Sequence, residues 1–393
     1  MADAELNPGG TSRVTRQGFN SMHIGVPAEI YPGEARVAAT PETVKKLVAG
    51  GRHAVIIQAG AGERAAIRDS DYEAAGACIV PGAADVYGQS DIVLKVRRPE
   101  AQELPLLKKG SLLIGLLAPH EGVDGMAAAG VTAFAMELLP RISRAQAMDV
   151  LSSQGNIAGY KAVLVAAYEY GRFMPMLMTA AGTVKAARVL ILGAGVAGLQ
   201  AVATAKRLGA VIEVFDVRPA VKEQVESLGA KFVEVTLSEE ELKAQETAGG
   251  YAREMSDDYK KRQAALIQER AKAADIVITT ALIPGRPAPR LVSEETIAAM
   301  KPGSVIVDLA VKQGGNVAFS VADQVVMKNG VKIVAPSSLP SEMAADSSAL
   351  YARNLLNFVN LLFDAKTGEF RIDRSDEIIA GTLVCADGVP ARS

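Results

Sequence analysis

The stretch from Ala187 to Asp216 constrains the fold of this chain more than any other. An apolar run at residues 188–192 leads into Gly193-Ala-Gly-Val-Ala-Gly198, a helical pattern follows, and a second apolar run stops at Asp216. This order predicts one βαβ unit of about 30 residues, with a G-x-G-x-x-G turn after the first strand and an acid after the second. Strands joined through a helix in this way place the chain in the α/β class.

The glycines and the acid of this unit match the needs of a dinucleotide. Gly193 allows the tight turn, Gly195 lets the backbone approach a pyrophosphate, and Gly198 lets the helix pack closely on the strand. The first turn of the helix offers free N–H groups and partial positive charge to phosphates. A carboxylate at Asp216 accepts ribose hydroxyls and repels a 2′-phosphate, which favours NAD(H) over NADP(H); the alternative is a tight turn without a ligand. Arg218 either borders the adenine or is a surface arginine.

Length and composition bound the remaining possibilities. A chain of 393 residues, 49% of them hydrophobic, fits two domains with a sizeable core. Its 42 basic and 44 acidic residues give a net charge of −2, which does not indicate nucleic-acid binding. Cys78 and Cys385 lack metal-ligand spacing, so we expect reduced thiols, a cytoplasmic protein and no metal site. Any histidine base must be His23, His53 or His120.

The rest of the chain is typical of a second sheet domain and two connecting helices. From residue 23 to residue 138, short apolar runs alternate with helical patterns, which predicts a doubly wound domain with a parallel sheet and no phosphate fingerprint. Helical patterns at 143–170 and 345–363 predict two long helices that join the domains, with a cleft between them. Residues 370–384 predict a short hairpin. No apolar run reaches the roughly 18 residues of a membrane span.

These elements set the predicted domain boundaries. We expect a disordered leader at 1–21, a first domain at 22–142 with 346–393, and a fingerprint (Rossmann) domain at 143–345. Residues from 236 to about 270 are dense in Glu, Lys, Gln and Asp, with Tyr251 in the middle. The usual connection between elements is a few residues long. The segment therefore predicts either a functional flap, mobile over about 236–262, or a disordered insert.

A run of polar side chains opens the first connecting helix. Arg141, Arg144, Gln146, Asp149 and Ser152 lie within three turns, and the last three are spaced by three residues, so they are expected to share one helix face. A nicotinamide carboxamide needs one donor and one acceptor, and such a face supplies both. The alternative interpretation is a solvated helix start.

Three further charged residues lie at predicted strand ends. Arg36 and Lys95 form a pair of cations that suits a carboxylate substrate, or else they are two surface charges. Asp308 ends a strand of buried type, at a position that either faces the cleft or caps a neighbouring element.

Several longer motifs carry a family resemblance. In chain order they are Pro140-Arg-Ile-Ser-Arg-Ala-Gln146, Gly193-Ala-Gly-Val-Ala-Gly-Leu-Gln200, Ala248-Gly-Gly-Tyr-Ala252, Thr279-Thr-Ala-Leu-Ile-Pro-Gly-Arg-Pro-Ala-Pro289 and Asp308-Leu-Ala310. Together they resemble the NAD(H)-binding component of the proton-translocating nicotinamide nucleotide transhydrogenases, from about Met22 to about Gly388. The chain ends where that component ends, so we expect the separate-subunit bacterial form.

The resemblance implies an activity, partners and site residues. It implies hydride transfer of the Si-specific/Re-specific type between NAD(H) here and NADP(H) on a second component, coupled to proton translocation by a membrane component. It implies a homodimer, held at the cytoplasmic face of the bacterial inner membrane through those partners. The residues implied at the reacting nicotinamide are Arg141, Gln146, Asp149 and Ser152, with Gln146 reaching toward the partner's nucleotide. Those implied in cofactor binding are Gly193, Gly195, Val196, Ala197, Gly198, Asp216, Val217, Arg218, Tyr251 on a closing loop, Thr280, Ala281, Leu282 and Asp308.

Two alternatives remain beside this resemblance. Alanine dehydrogenases are a sister family and are similar at Arg36, Lys95, the fingerprint and Asp308. Their chemistry uses a histidine on the strand written here as residues 112–117, where this chain has none, and His120 lies beyond that strand. Hydride transfer between two nicotinamides needs apposed rings and excluded water rather than an acid or base. A non-catalytic NAD-sensing module is the other alternative.

Overall fold

The computed structural model describes residues 21–235, 257–283, 286–364 and 366–391. The chain forms two compact units, Met1–Val150 with Ala344–Ser393, and Leu151–Met343. Each unit is built on its own α/β sheet, which confirms the predicted fold class. The change from the first unit to the second comes after Val150, later in the chain than the sequence predicts.

The strands and helices alternate along both units. The strands are β1 (Met22–Val26), β2 (His53–Gln58), β3 (Cys78–Val80), β4 (Ile92–Arg97), β5 (Leu112–Leu116), β6 (Thr132–Ala135), β7 (Leu177–Thr179), β8 (Gly182–Val184), β9 (Arg188–Leu192), β10 (Val211–Phe215), β11 (Lys231–Val233), β12 (Ile276–Thr279), β13 (Val305–Asp308), β14 (Val325–Lys328), β15 (Val331–Val334), β16 (Leu383–Ala386) and β17 (Val389–Pro390). The α-helices of the described residues are α1 (Pro41–Val48), α2 (Asp69–Ala74), α3 (Ala83–Gln89), α4 (Asp124–Ala128), α5 (Val150–Tyr170), α6 (Val196–Arg207), α7 (Lys222–Ser227), α8 (Asp257–Ala273), α9 (Glu294–Ala299), α10 (Ala344–Leu361) and α11 (Glu377–Thr382).

The sheet of the first unit has the order β17-β16-β6-β5-β4-β1-β2-β3. Strands β1 to β6 pair in parallel, and their near-continuous apolar runs fit strands that are covered on both faces. Strands β16 and β17 add an antiparallel edge, so the sheet is mixed rather than purely parallel. Ile24, Ile92 and Ile114 are fully buried in its core.

The sheet of the second unit has the order β11-β10-β9-β12-β13-β15-β14. All of its pairs are parallel except the one that β14 makes with β15 at the edge. The strand order reverses between β9 and β12. Ligands of open α/β sheets bind beyond the carboxyl ends of the strands at such a reversal, so this edge of the second unit is where a site is expected.

The first connecting helix differs from its prediction. Residues Ser143–Met148 form 3-10 turns, Asp149 is extended with φ −73° and ψ 93°, and α5 starts only at Val150. The side-chain amides of Asn354 and Asn357 both donate to the carbonyl oxygen of Ala147, at 2.9 and 3.0 Å. Because that oxygen is occupied, the backbone does not continue as one α-helix from 143 to 170. Gln146, Asp149 and Ser152 therefore do not share a helix face, and that prediction is wrong.

The chain's tail also differs from its prediction. Residues 377–382 form helix α11, whose first N–H groups, those of Ile378 and Ile379, donate to the side chain of Asp376. The antiparallel pair that follows is β16 with β17, later than the predicted 370–384 hairpin. Of the predicted loop at 236–262, residues 257–262 are the first turns of α8, and 236–256 lie outside the described residues. Within the described ranges, no helix has both the length and the apolarity needed to cross a membrane.

Candidate functional site

The fingerprint turn joins β9 to α6 and admits only glycine at two of its three positions. Gly193 has φ +106°, and a Cβ there would lie 2.6 Å from Oγ1 of Thr280. A Cβ on Gly198 would lie 1.9 Å from the carbonyl oxygen of Gly193. Real atoms do not approach this closely, so the first turn of α6 packs against the strand end only because these side chains are absent.

The remaining fingerprint glycine faces open space. A Cβ on Gly195 would meet no atom within 4 Å, and its backbone φ of −76° is open to any residue. Helix α6 begins at Val196 with no described side chain capping it, whereas Ser293 caps α9 and Asp376 caps α11. Uncapped N–H groups beside open space fit the pyrophosphate of a dinucleotide. Val196 is exposed and Ala197 is half-buried at this helix start.

Asp216 lies directly beyond β10 and reaches back to the fingerprint. Its Oδ2 accepts the N–H of Ala194 at 2.7 Å and the Nη2 of Arg218 at 2.9 Å, and its Oδ1 accepts the backbone N–H and Nε of Arg218. Burial by itself raises the pKa of Asp216, but the hydrogen bonds from Arg218 and Ala194 outweigh it and hold the pKa below its ordinary value. The carboxylate is therefore charged and placed beside the turn. Val217, between the two partners, is exposed.

The loop after β12 is bonded to the fingerprint turn. The Thr280 hydroxyl donates to the carbonyl oxygen of Gly193 at 3.0 Å, and its N–H donates to that of Leu192 at 2.9 Å. This contact joins the two strand ends on either side of the strand-order reversal. Leu282, also predicted to bind the cofactor, is exposed.

Asn316 holds the same loop, and sequence reasoning missed it. Its Nδ2 donates to the carbonyl oxygens of Ala281 and Pro289 at 2.9 and 2.8 Å, and its Oδ1 accepts the N–H of Ala281 at 3.1 Å. The side chain is buried, so these contacts fix the backbone on both sides of the loop. An asparagine after two glycines indicates a turn, and nothing in the local sequence indicates a partner 35 residues away.

Asp308 is buried, and its carboxylate is fully used inside the domain. Oδ1 accepts the Thr279 hydroxyl and the N–H of Ala310 at 2.9 and 3.0 Å. Oδ2 accepts the Ser320 hydroxyl and the N–H of Val317 at 2.7 and 3.2 Å. The capping alternative thus has contacts in the structure, while a direct contact of Asp308 with the cofactor stays a prediction.

Two glycines of α5 also belong to the surroundings of the fingerprint. A Cβ on Gly159 would lie 2.1 Å from the carbonyl oxygen of Ala197, and one on Gly155 would lie 3.7 Å from the Val196 side chain. Helix α5 therefore packs closely on the first turn of α6. The four-residue spacing of Gly155 and Gly159 was the available signal, because it puts both on one helix face.

The polar residues near the start of α5 divide between the two units. Arg141 and Gln146 are exposed and Asp149 is half-buried in the first unit, whereas Ser152 lies in the second. Arg144 pairs with Asp376 at 2.7 Å. The roles of Arg141, Gln146, Asp149 and Ser152 at a nicotinamide stay predictions, and Tyr251 lies outside the described residues.

The predicted cation pair of the first unit is neither exposed nor uncompensated. Arg36 is buried and makes hydrogen bonds of 2.7 and 2.6 Å from Nε and Nη2 to Glu34. Lys95 is fully buried, with Glu103 at 2.8 Å and Glu29 at 3.4 Å. The interpretation as surface charges is wrong. Three buried glutamates already provide the negative charge that a carboxylate substrate would bring, so the pair has little attraction left for one.

The end of β5, where the sister family carries a histidine, is occupied by a carboxylate. Glu137 accepts the N–H groups of Leu117 and Ala118 at 3.2 and 2.6 Å. Burial is the main reason that the pKa of Glu137 lies above its ordinary value. His120 follows on a turn with an exposed side chain. Neither residue places an imidazole at the strand end.

Comparisons with known proteins cover both units. Residues 25–158 match the family model described as alanine dehydrogenase/PNT, N-terminal domain, and residues 162–391 match the corresponding C-terminal domain. The separate first polypeptide of the NAD(P) transhydrogenase alpha subunit of Rhodospirillum rubrum is 52% identical over 375 residues, or 93% of this chain and 97% of that protein. A transhydrogenase structure from Sinorhizobium meliloti matches with a TM-score of 0.84 at 48% identity, covering 94% of this chain and 99% of that one. Alanine dehydrogenase of Mycolicibacterium smegmatis is 36% identical over 300 residues, or 75% and 74% of the two chains.

Proposed function

This chain belongs to the alanine dehydrogenase/PNT family, and from that premise we propose that it is the NAD(H)-binding component of a proton-translocating transhydrogenase. The observation that carries the proposal is the 52% identity to a transhydrogenase alpha subunit over nearly the whole chain, against 36% to an alanine dehydrogenase. The oxidoreductase class and the NAD(H)-binding Rossmann-like fold follow at the level of the family. The stereospecificity and the coupling to protons belong to the proposal.

The residues of the second unit bind the nucleotide in this proposal. The open space at Gly195 and the uncapped start of α6 receive the pyrophosphate, and Asp216 accepts the ribose hydroxyls. Bound NADH supplies the hydride. Arg141, Asp149 and Ser152 hold the nicotinamide and its ribose, and Gln146 orients it toward the NADP(H) of the partner. A loop that carries Tyr251 excludes water from the site.

The partners belong to the same proposal. A second component binds NADP(H), and a membrane component conducts the protons, so that this chain is held at the cytoplasmic face of the inner membrane through them. The test is hydride exchange after mixing this chain with the NADP(H)-binding component. NADH binding without exchange would favour a non-catalytic NAD-sensing module instead.

The amino-acid dehydrogenase alternative predicts a different reaction. Oxidising an amine requires a group that handles a proton, and we expect the neutralised Arg36–Lys95 cluster and the missing histidine to prevent it. Purified protein with NADH, pyruvate and ammonia should consume no NADH above the rate without ammonia, followed at the nicotinamide absorbance band. A true alanine dehydrogenase is the positive control. Ammonia-dependent NADH consumption would support the dehydrogenase instead.

The β7–β8 hairpin supports the proposed homodimer. The segment from Phe173 to Met178 exposes four large apolar side chains, and Met176 and Met178 are 62% and 70% exposed. Within the described residues the two strands pair only with each other. A two-stranded hairpin with apolar side chains in water is marginally stable, so a second copy of the chain is the expected cover.

We expect charges on this hairpin to separate the dimer. Met176→Asp together with Met178→Asp should raise the dimer dissociation constant at least about a hundredfold, because both carboxylates would be buried in the interface. The matched control is Val211→Asp, at a strand end of the same unit with 56% exposure. Light scattering after size exclusion gives the mass of each. A double variant that stays dimeric would remove the hairpin from the interface, and a monomeric wild type would contradict the homodimer.

A further inference from the structure

The Asp216–Arg218 pair carries an inference about nucleotide choice, which rests on the proposed NAD(H) site. Nε and Nη2 of Arg218 donate to opposite oxygens of the carboxylate at 3.0 and 2.9 Å, and the Arg218 backbone N–H adds a third bond at 2.8 Å. The Arg218 side chain is 42% exposed, and that of Asp216 is 6% exposed. The guanidinium thus lies outward of the carboxylate, at the position where the ribose of a bound dinucleotide is read.

An arginine near the end of the second strand has a known use in dinucleotide sites. Where NADP(H) is bound, a nearby arginine accommodates the 2′-phosphate, since the guanidinium fork matches its oxygens. In this chain both outer N–H groups of that kind point to Asp216 instead. The carboxylate neutralises the arginine and fixes its direction, and it also repels any phosphate that approaches.

We propose that Arg218 is a 2′-phosphate receptor that Asp216 holds neutralised, so that the pair, rather than Asp216 alone, sets the choice between NAD(H) and NADP(H). The carboxylate then acts twice: it accepts the ribose hydroxyls of NADH, and it withholds the one guanidinium beside it from NADPH. Removing the negative charge is expected to free Arg218 and to create NADPH binding, beyond weakening the binding of NADH.

The test uses substitutions that separate the two actions. Asp216→Asn keeps the size of the side chain and an oxygen for the N–H of Ala194, while its amide N–H₂ group turns Arg218 away. The second variant adds Arg218→Ala to it. The matched control adds Arg207→Ala instead, because Arg207 is an exposed arginine that donates to the Ala203 carbonyl of its own helix. Dissociation constants for NADH and NADPH come from nucleotide fluorescence at low and high salt.

We expect Asp216→Asn to bind NADPH about ten- to a hundredfold more tightly than wild type, the range of charge-assisted hydrogen bonds. The gain should disappear with Arg218→Ala, persist with Arg207→Ala, and shrink at high salt. Asp216→Ser, which removes the carboxylate by shortening the side chain, should show the same gain and serves if the asparagine variant does not fold.

Two results would overturn the role of Arg218 while leaving the NAD(H) site in place. One is an equal NADPH gain with and without Arg218, which would mean that Asp216 acts by repulsion alone. The other is a folded, NADH-binding Asp216 variant with no NADPH gain. Wild-type protein that binds no NADH would contradict the proposed function, and the inference with it.

Discussion

Replacing Gly195 by alanine is expected to weaken NADH binding about a hundredfold while leaving the fold intact. The new Cβ meets no protein atom within 4 Å and the backbone is in an ordinary conformation, so the unfolding midpoint should move by no more than about 2 °C. The methyl group does enter the space where a pyrophosphate lies against the N–H groups of α6. Losing two such charge-assisted hydrogen bonds accounts for about this change in affinity.

Gly198→Ala is the matched comparison, because it places the same methyl group against protein instead of ligand. Its Cβ would lie 1.9 Å from the carbonyl oxygen of Gly193, so α6 must shift and the unfolding midpoint should fall by about 5 °C or more. Thermal unfolding and NADH fluorescence titration measure both variants. A Gly195→Ala protein with wild-type NADH affinity would show that no pyrophosphate approaches this turn.

Gln146→Asn is expected to slow hydride transfer by roughly ten- to a hundredfold and to leave NADH affinity nearly unchanged. The Gln146 side chain is exposed to solvent, so shortening it should not disturb the fold. The substitution removes about 1.3 Å of reach. A misplacement of that size near two reacting rings costs on the order of a hundredfold in rate.

The control for this variant is Gln102→Asn, a glutamine exposed in the same unit and outside every predicted site. Stopped-flow transfer to an NADP⁺ analogue on the mixed components gives the rate, and equilibrium dialysis gives the NADH affinity. An unchanged rate would remove Gln146 from the site. A lost NADH affinity at unchanged partner binding would make it an ordinary binding residue.

The parts of the site that the sequence predicts are those whose partners are close along the chain. Gly193, Gly198 and Asp216 belong to one βαβ unit, and each has a requirement that only its residue type meets: a positive φ, a missing side chain, a charge at a strand end. The strand positions follow equally well, since long apolar runs have few alternatives in an α/β chain.

The parts that the sequence does not predict depend on distant partners. The break at Asp149 is set by Asn354 and Asn357, which lie more than 200 residues away, and helical periodicity carries no sign of them. Lys95 is likewise neutralised by Glu29, and nothing in the sequence near Lys95 indicates that partner. Side chains that satisfy a buried group from elsewhere in the fold leave no local pattern.

Hydride exchange in a mixture of this chain with the NADP(H)-binding component of a transhydrogenase tests the central claim most directly. The account predicts a rapid burst of hydride transfer from NADH to an NADP⁺ analogue when both components are present, and none when either is omitted. The Rhodospirillum rubrum relative in place of this chain shows that the partner preparation is competent. NADH binding by this chain without any transfer, beside normal transfer by that relative, would contradict the account.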